Sequence, residues 1–84
     1  MIRPLEWAPR ARNELDALDS RTQERIRDAV HRLVDTGHGD VTKLGGHQAE
    51  WRLKVGPWRV RFTRHGSLYQ ILRVKRRRED TYKD

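Results

Sequence analysis

The sequence predicts one α+β domain over residues 1–84. The order is a strand, two helices, then three antiparallel strands, with the helical hairpin packed on one face of the sheet. Three observations carry this reading. The stretch Glu50-Trp51-Arg52-Leu53-Lys54-Val55-Gly56-Pro57-Trp58-Arg59-Val60-Arg61-Phe62 alternates apolar and cationic residues on both sides of a Gly-Pro turn. Residues 8–34 instead repeat apolar positions every three or four residues. A chain of 84 residues has room for one modest core.

Residues 2–7 read as the opening strand, with Leu5 and Trp7 on one face. Pro4 cannot donate to a ladder, so this strand is at an edge or starts after Pro4. Pro9 suits the first turn of a helix. Ala8, Ala11, Leu15 and Leu18 form a narrow apolar stripe, and Arg10, Arg12, Glu14 and Asp16 lie off it. Asp19-Ser20 separates a second helix, for which Ser20 and Gln23 fit a capping box. Ile26, Ala29, Val30, Leu33 and Val34 give its stripe, and Gly37 ends it. Two helices so close in sequence make an antiparallel hairpin, and their stripes need an apolar partner.

Residues 38–49 hold Gly39, Gly45 and Gly46 and no apolar period, so they read as a connecting loop carrying Lys43 and Leu44. The alternating stretch follows. Successive side chains of a strand point to opposite faces. Trp51, Leu53, Val55, Trp58, Val60 and Phe62 therefore face the helices, and Arg52, Lys54, Arg59 and Arg61 gather on the far side. Like charges facing each other across strands are destabilising, so one sign of charge on one surface points to a polyanion. A turn at Arg64-His65-Gly66-Ser67 leads to a third strand over residues 68–74. Its two alternation sets (Leu68, Leu72, Val74 and Tyr69, Ile71) are both largely apolar, which predicts an interior strand covered on both faces.

Charge is split along the chain. Residues 1–42 carry seven Lys/Arg and eight Asp/Glu, whereas residues 43–84 carry twelve and four, so the net +7 sits in the sheet-forming half. Fifteen of the nineteen cations are Arg, whose planar fork grips phosphate bidentately. No apolar run is long enough to span a bilayer, no signal-peptide pattern opens the chain, and there is no Cys; a cytoplasmic protein without a membrane partner is expected. His31, His38, His47 and His65 share no ligand spacing, so no metal and no cofactor is expected.

A cationic sheet face followed by Lys75-Arg76-Arg77-Arg78 and Tyr82 matches the needs of RNA cleavage by the 2′-OH. That reaction takes a base for the 2′-OH proton, an acid for the leaving 5′-oxygen, and cations for the charge on the phosphorane. Lys54, Arg59 and Arg52 can supply the cations, and Tyr82 can act as base where clustered cations favour its phenolate. The plainer alternatives are a solvated basic tail for residues 75–78 and a packing aromatic for Tyr82.

The order and spacing of Lys43-Leu44-Gly45-Gly46, Glu50-Trp51-Arg52-Leu53-Lys54-Val55-Gly56, Trp58-Arg59-Val60 and the run from Leu72 to Tyr82 resemble the RelE/ParE toxin superfamily over essentially the whole chain. The resemblance implies a small domain with helices on one face of a mainly antiparallel sheet. RelE-like members are metal-independent, ribosome-dependent endoribonucleases that cut mRNA in the A site, and a cognate antitoxin neutralises them. On that pattern Lys54 and Arg59 match the phosphate-stabilising cations, Arg52 stands where relatives place a Lys, and Tyr82 matches the general base. The acid-side Arg is one of Arg76, Arg77 and Arg78: the spacing His-Arg-x-x-x-Tyr selects Arg78, and a longer spacing selects Arg76. Arg77 replaces the histidine of that motif. The catalytic set is then Lys54, Arg59, Arg78 and Tyr82, with Arg52, Arg61, Arg76, Arg77 and Lys43 toward the mRNA and ribosome. The competing readings are a ParE-like inhibitor of DNA gyrase and a non-catalytic RNA-binding module.

Overall fold

The computed structural model describes residues 4–45 and 49–78. Along the chain these form β1 (Leu5–Trp7), α1 (Pro9–Asp16), α2 (Ser20–Thr36), β2 (Val41–Lys43), β3 (Glu50–Val55), β4 (Trp58–His65) and β5 (Leu68–Arg76). The strands make one sheet in the order β1-β5-β4-β3-β2. β1 runs parallel to β5, and the other neighbours are antiparallel. The α+β class is as expected, with one strand more than expected.

The start of the chain follows its prolines. β1 lies at the sheet edge and begins after Pro4, whose carbonyl accepts the Tyr69 N–H at 2.8 Å. Pro9 opens α1, where a missing N–H goes unnoticed. Ala11 and Leu15 are the buried positions of α1.

The N-cap of α2 differs from expectation: it is Asp19, not Ser20. The Asp19 carboxylate accepts from both the backbone N–H and the hydroxyl of Thr22. A carboxylate at a helix start is also favoured by the helix dipole. Gln23 does not reach back to Ser20. Its Nε2 donates to the Leu18 carbonyl at 2.7 Å and the Asp16 carbonyl at 3.2 Å, which ties the start of α2 to the end of α1. Gly37 closes α2 in the left-handed conformation (φ 76°) and donates to the Leu33 carbonyl at 2.8 Å.

Residues 38–49, expected to be a loop, contain β2. Three residues with one apolar side chain, Val41, carry no alternation to detect. Pairing with β3, with Thr42 opposite Arg52, makes them a strand.

β5 also departs from expectation. A β-bulge sets Arg61 opposite Arg73 but Phe62 opposite Ile71, so Leu72 has no residue facing it. The face parity of the strand flips there. Val74, opposite Val60, shares the face of Ile71 rather than that of Leu68 and Leu72. β5 is interior, as expected, but covered on one face only: Leu68 is 39% exposed, and Gln70, Arg73 and Lys75 are half-buried.

The core lies between that covered face and the helices. Ile26, Val30 and Leu33 of α2 join Ala11 and Leu15 of α1 against Leu53, Val60, Phe62, Ile71 and Val74. Trp51 and Trp58 pack at its margin, half-buried, on the side expected. No helix among the described residues is long and apolar enough to cross a membrane.

Candidate functional site

The register of β2–β5 sorts the uncovered face into three rows. Nearest the Gly56-Pro57 turn, Lys54 lies opposite Arg59, and Arg59 opposite Lys75. Asp40 ends this row, since its carbonyl accepts the Lys54 N–H at 2.9 Å. The second row is Thr42, Arg52, Arg61 and Arg73. The third is Glu50, Thr63, Gln70 and Glu6, with Gln70 Nε2 donating to Glu6 Oε1 at 3.2 Å. Six cations thus fill two rows, and the next row is neutral and acidic. Strand spacing of about 4.8 Å and about 7 Å per two residues along a strand bring the six within one small patch.

Four of these cations, Arg52, Lys54, Arg59 and Arg61, fall on one face as the alternation predicts. Arg73 and Lys75 are additions. Strict period-two reading from Leu68 places both with Tyr69 and Ile71 on the helix side, and only the bulge brings them beside Arg61 and Arg59. A run of two apolar sets with no clear polar side was the available signal that the strand was not regular.

Each cation is held differently. Lys54 is half exposed, its Nζ 3.9 Å from the Asp40 carboxylate. Arg59 is only 7% exposed. Its Nη1 donates to the carbonyls of Gly56 and Trp58, both at 2.9 Å, so the guanidinium staples the β3–β4 turn. Gly56 has φ 58°, as a two-residue hairpin turn with glycine first requires. A Cβ there would fall 2.7 Å from Arg25 Nη2, so the α2 guanidinium lies directly against the turn.

Arg73 and Lys75 are held by Glu14 of α1. β1 ends at Trp7, opposite Ile71, whereas β5 runs on to Arg76. The edge so opened is closed by α1. The Ala8 N–H donates to the Ile71 carbonyl at 2.9 Å, and Glu14 Oε1 accepts the Val74 N–H at 2.8 Å. Arg73 donates to the same carboxylate through Nη2 at 2.9 Å and through Nε at 3.2 Å to each oxygen; Lys75 Nζ stands 3.6 Å away. Burial pushes the Glu14 carboxyl up, but the Arg73 and Val74 hydrogen bonds and the charges of Arg73 and Lys75 outweigh it, and its pKa is lowered. In the sequence Glu14 is merely a polar residue off the helix stripe.

The remaining predicted residues lie elsewhere. Arg76 is opposite Trp58, hence on the helix side, its guanidinium 5.3 Å from the Trp58 ring centre. Lys43 is opposite Trp51 and over its ring at 5.7 Å. Arg77 and Arg78 follow β5 in an exposed turn and, with Pro57 and Arg76, line a cleft of about 330 Å³. The Arg77 N–H donates to the Pro57 carbonyl at 2.8 Å, which pins this turn beside the β3–β4 hairpin. Tyr82 lies outside the described residues. Among the described residues no three His, Cys, Asp or Glu side chains converge as metal ligands.

A sequence model of the family described as the ParE toxin of the type II toxin–antitoxin system, parDE, matches residues 5–81. The chain belongs to this toxin family. It is therefore a toxin of a toxin–antitoxin system, within the RelE/ParE superfamily. Its fold is that of several solved relatives. The RelE–RelB complex of Pyrococcus horikoshii OT3 is 22% identical, with a TM-score of 0.73 over 92% of this chain and 97% of that one. The RelB–RelE complex of Methanococcus jannaschii is 18% identical, with a TM-score of 0.73 over 88% and 92%. The chromosomal ParDE system of P. aeruginosa is 22% identical, with a TM-score of 0.66 over 86% and 92%. No curated protein matches the chain.

Proposed function

We propose that this toxin is a ribosome-dependent endoribonuclease that cuts mRNA in the A site by attack of the 2′-OH on the adjacent phosphate, without a metal. The observation that supports this most is the pair of cation rows on one sheet face, Lys54–Arg59–Lys75 and Arg52–Arg61–Arg73. Lys54 and Arg59 stand opposite each other on adjacent strands and can flank a single phosphate. The Arg59 guanidinium is already fixed by two carbonyls, so little reorganisation accompanies charge build-up on the phosphorane. Tyr82, the residue that matches the family's general base, takes the 2′-OH proton. Arg78, selected by the His-Arg-x-x-x-Tyr spacing, serves the leaving oxygen; it lines the cleft beside the β3–β4 hairpin with Pro57, Arg76 and Arg77. Arg52, Arg61, Arg76, Arg77 and Lys43 hold the mRNA and ribosome.

A cognate antitoxin neutralises the toxin in the cytoplasm. The archaeal RelE relatives were solved bound to RelB, and a basic face of this extent suits an acidic or amphipathic antitoxin segment. The ParE family match favours a second reading, inhibition of DNA gyrase.

Toeprinting on translating ribosomes, run beside a gyrase supercoiling assay, separates the two. Expected is mRNA cleavage by the unaltered protein, with loss of about 10²–10³ in rate for Lys54→Ala. Tyr82→Phe should fold and bind antitoxin normally but fail to cut. Intact mRNA with blocked supercoiling replaces this reading by the gyrase one, and salt-sensitive RNA binding without cleavage leaves only a binding module.

A further inference from the structure

Glu14 is the one carboxylate that α1 sends to the cationic face, and it makes three kinds of contact there. It closes the β5 edge through the Val74 N–H, grips Arg73 with both oxygens, and stands beside Lys75. The Arg73 and Lys75 side chains are each 27% exposed and Glu14 20%, so solvent only partly screens the cluster. A carboxylate needed only to close a sheet edge has to meet one N–H. Here it also fixes two long side chains that otherwise sample many rotamers. These two are the terminal members of the cation rows, beyond Arg59 and Arg61.

We propose that Glu14 is a positioning residue: acting through Arg73, and secondarily Lys75, it orders the β5 end of the cation rows to hold the phosphate backbone of an RNA strand. This rests on the endoribonuclease reading for its catalytic consequence, but not for the positioning itself. Fixing a guanidinium beforehand removes the ordering step when phosphate arrives, and misplacement of about 1 Å at a supporting residue can lower a rate by about 10². Removal of the Glu14 charge also makes the face more positive, which strengthens non-specific attraction to RNA. Positioning and simple charge therefore act in opposite directions, and a kcat and KM measurement separates them.

The test uses Glu14→Gln, which keeps the shape and an oxygen for the Val74 N–H, together with Arg73→Ala and the double variant. Expected for Glu14→Gln is a fall in kcat of about tenfold in ribosome-dependent mRNA cleavage with KM unchanged or lower. The double variant should be no worse than Arg73→Ala, because Glu14 acts through that residue. Multiplicative effects in the double variant overturn the proposal, as does a raised KM with unchanged kcat. In the free protein, NMR should show a slowly exchanging Arg73 Nε–H that Glu14→Gln makes fast; unchanged exchange overturns it whatever the activity. If the unaltered protein leaves mRNA intact, the endoribonuclease reading falls by itself. The same double-variant comparison on the Kd for an eight-nucleotide single-stranded RNA then decides: non-additive effects support Glu14 acting through Arg73, and additive ones, or no effect of either variant, overturn it.

Discussion

The two edges of the cationic face each end in a carboxylate, and the two behave differently. At the β5 edge Glu14 receives a backbone N–H, a two-point Arg73 contact and the Lys75 charge, with its side chain 20% exposed. At the β2 edge Asp40 faces a single ammonium, Lys54, at 3.9 Å, the two side chains 68% and 48% exposed. Both pair a carboxylate with cations of the face; burial and the number of donors differ. A carboxylate is structural where it replaces a missing strand, and nearly idle where β2 already supplies the ladder partner.

The largest expected effect tests that contrast. Glu14→Ala removes the acceptor of the Val74 N–H and the carboxylate that the partly buried Arg73 guanidinium grips. It should destabilise the fold by about 2–3 kcal/mol, whereas Asp40→Ala should change stability by less than about 0.5 kcal/mol. Urea unfolding of both variants beside the parent gives the two numbers with a shared m-value. Equal losses at the two edges would break the comparison.

What the sequence disclosed and what it concealed follows the same division. Alternation over residues 51–62 disclosed β3, β4 and their two faces, because both strands are regular and their sides chemically distinct. Pro9 and Gly37 marked helix ends by backbone chemistry alone. The four cations of β3 and β4 were legible for that reason. Arg73 and Lys75 were not, since the bulge at Leu72 re-aims them and a bulge has no period. Glu14 was not, because its role depends on β1 stopping at Trp7 while β5 continues, a fact of chain length on two distant elements. β2 was too short and too polar to show. Asp19 and Ser20 are both good capping residues, and the choice between them was settled by where Thr22 could donate.

A second, intermediate effect is pH dependence. The Glu14 carboxyl is held below its ordinary value of 4.5. A depressed carboxylate pKa stabilises the fold fully above the unfolded value, and that contribution is lost as pH falls through the folded value. The stability gap between the parent and Glu14→Gln should therefore stay constant from about pH 7 to pH 5 and close at more acid pH. Asp19, held low by the Thr22 hydroxyl and N–H, titrates alike in both proteins and cancels from the difference. Denaturation midpoints across this range measure the gap; one that persists unchanged well below pH 4 would mean that Glu14 stabilises through its shape and not its charge.

The smallest effect belongs to the Asp40–Lys54 pair, and it sharpens the comparison most. Both side chains are largely in water, the separation is at the limit of an ion pair, and Lys54 is a flexible cation whose ordering opposes the contact. Screening at physiological salt acts over about 8 Å, so solvent ions compete directly with Asp40. A double-mutant cycle of Asp40→Ala and Lys54→Ala should give a coupling below about 0.5 kcal/mol, falling to nothing in about 1 M salt. The matching cycle of Glu14 and Arg73 should exceed about 1 kcal/mol and resist salt, because partial burial limits screening. A weak coupling at Asp40 leaves the Lys54 ammonium available to an incoming phosphate, which the proposed chemistry needs. A coupling above about 1 kcal/mol there would mean that Asp40 holds Lys54 as firmly as Glu14 holds Arg73. Lys54 would then have to break a real interaction before touching RNA, and the reading in which Lys54 and Arg59 flank one phosphate would fail.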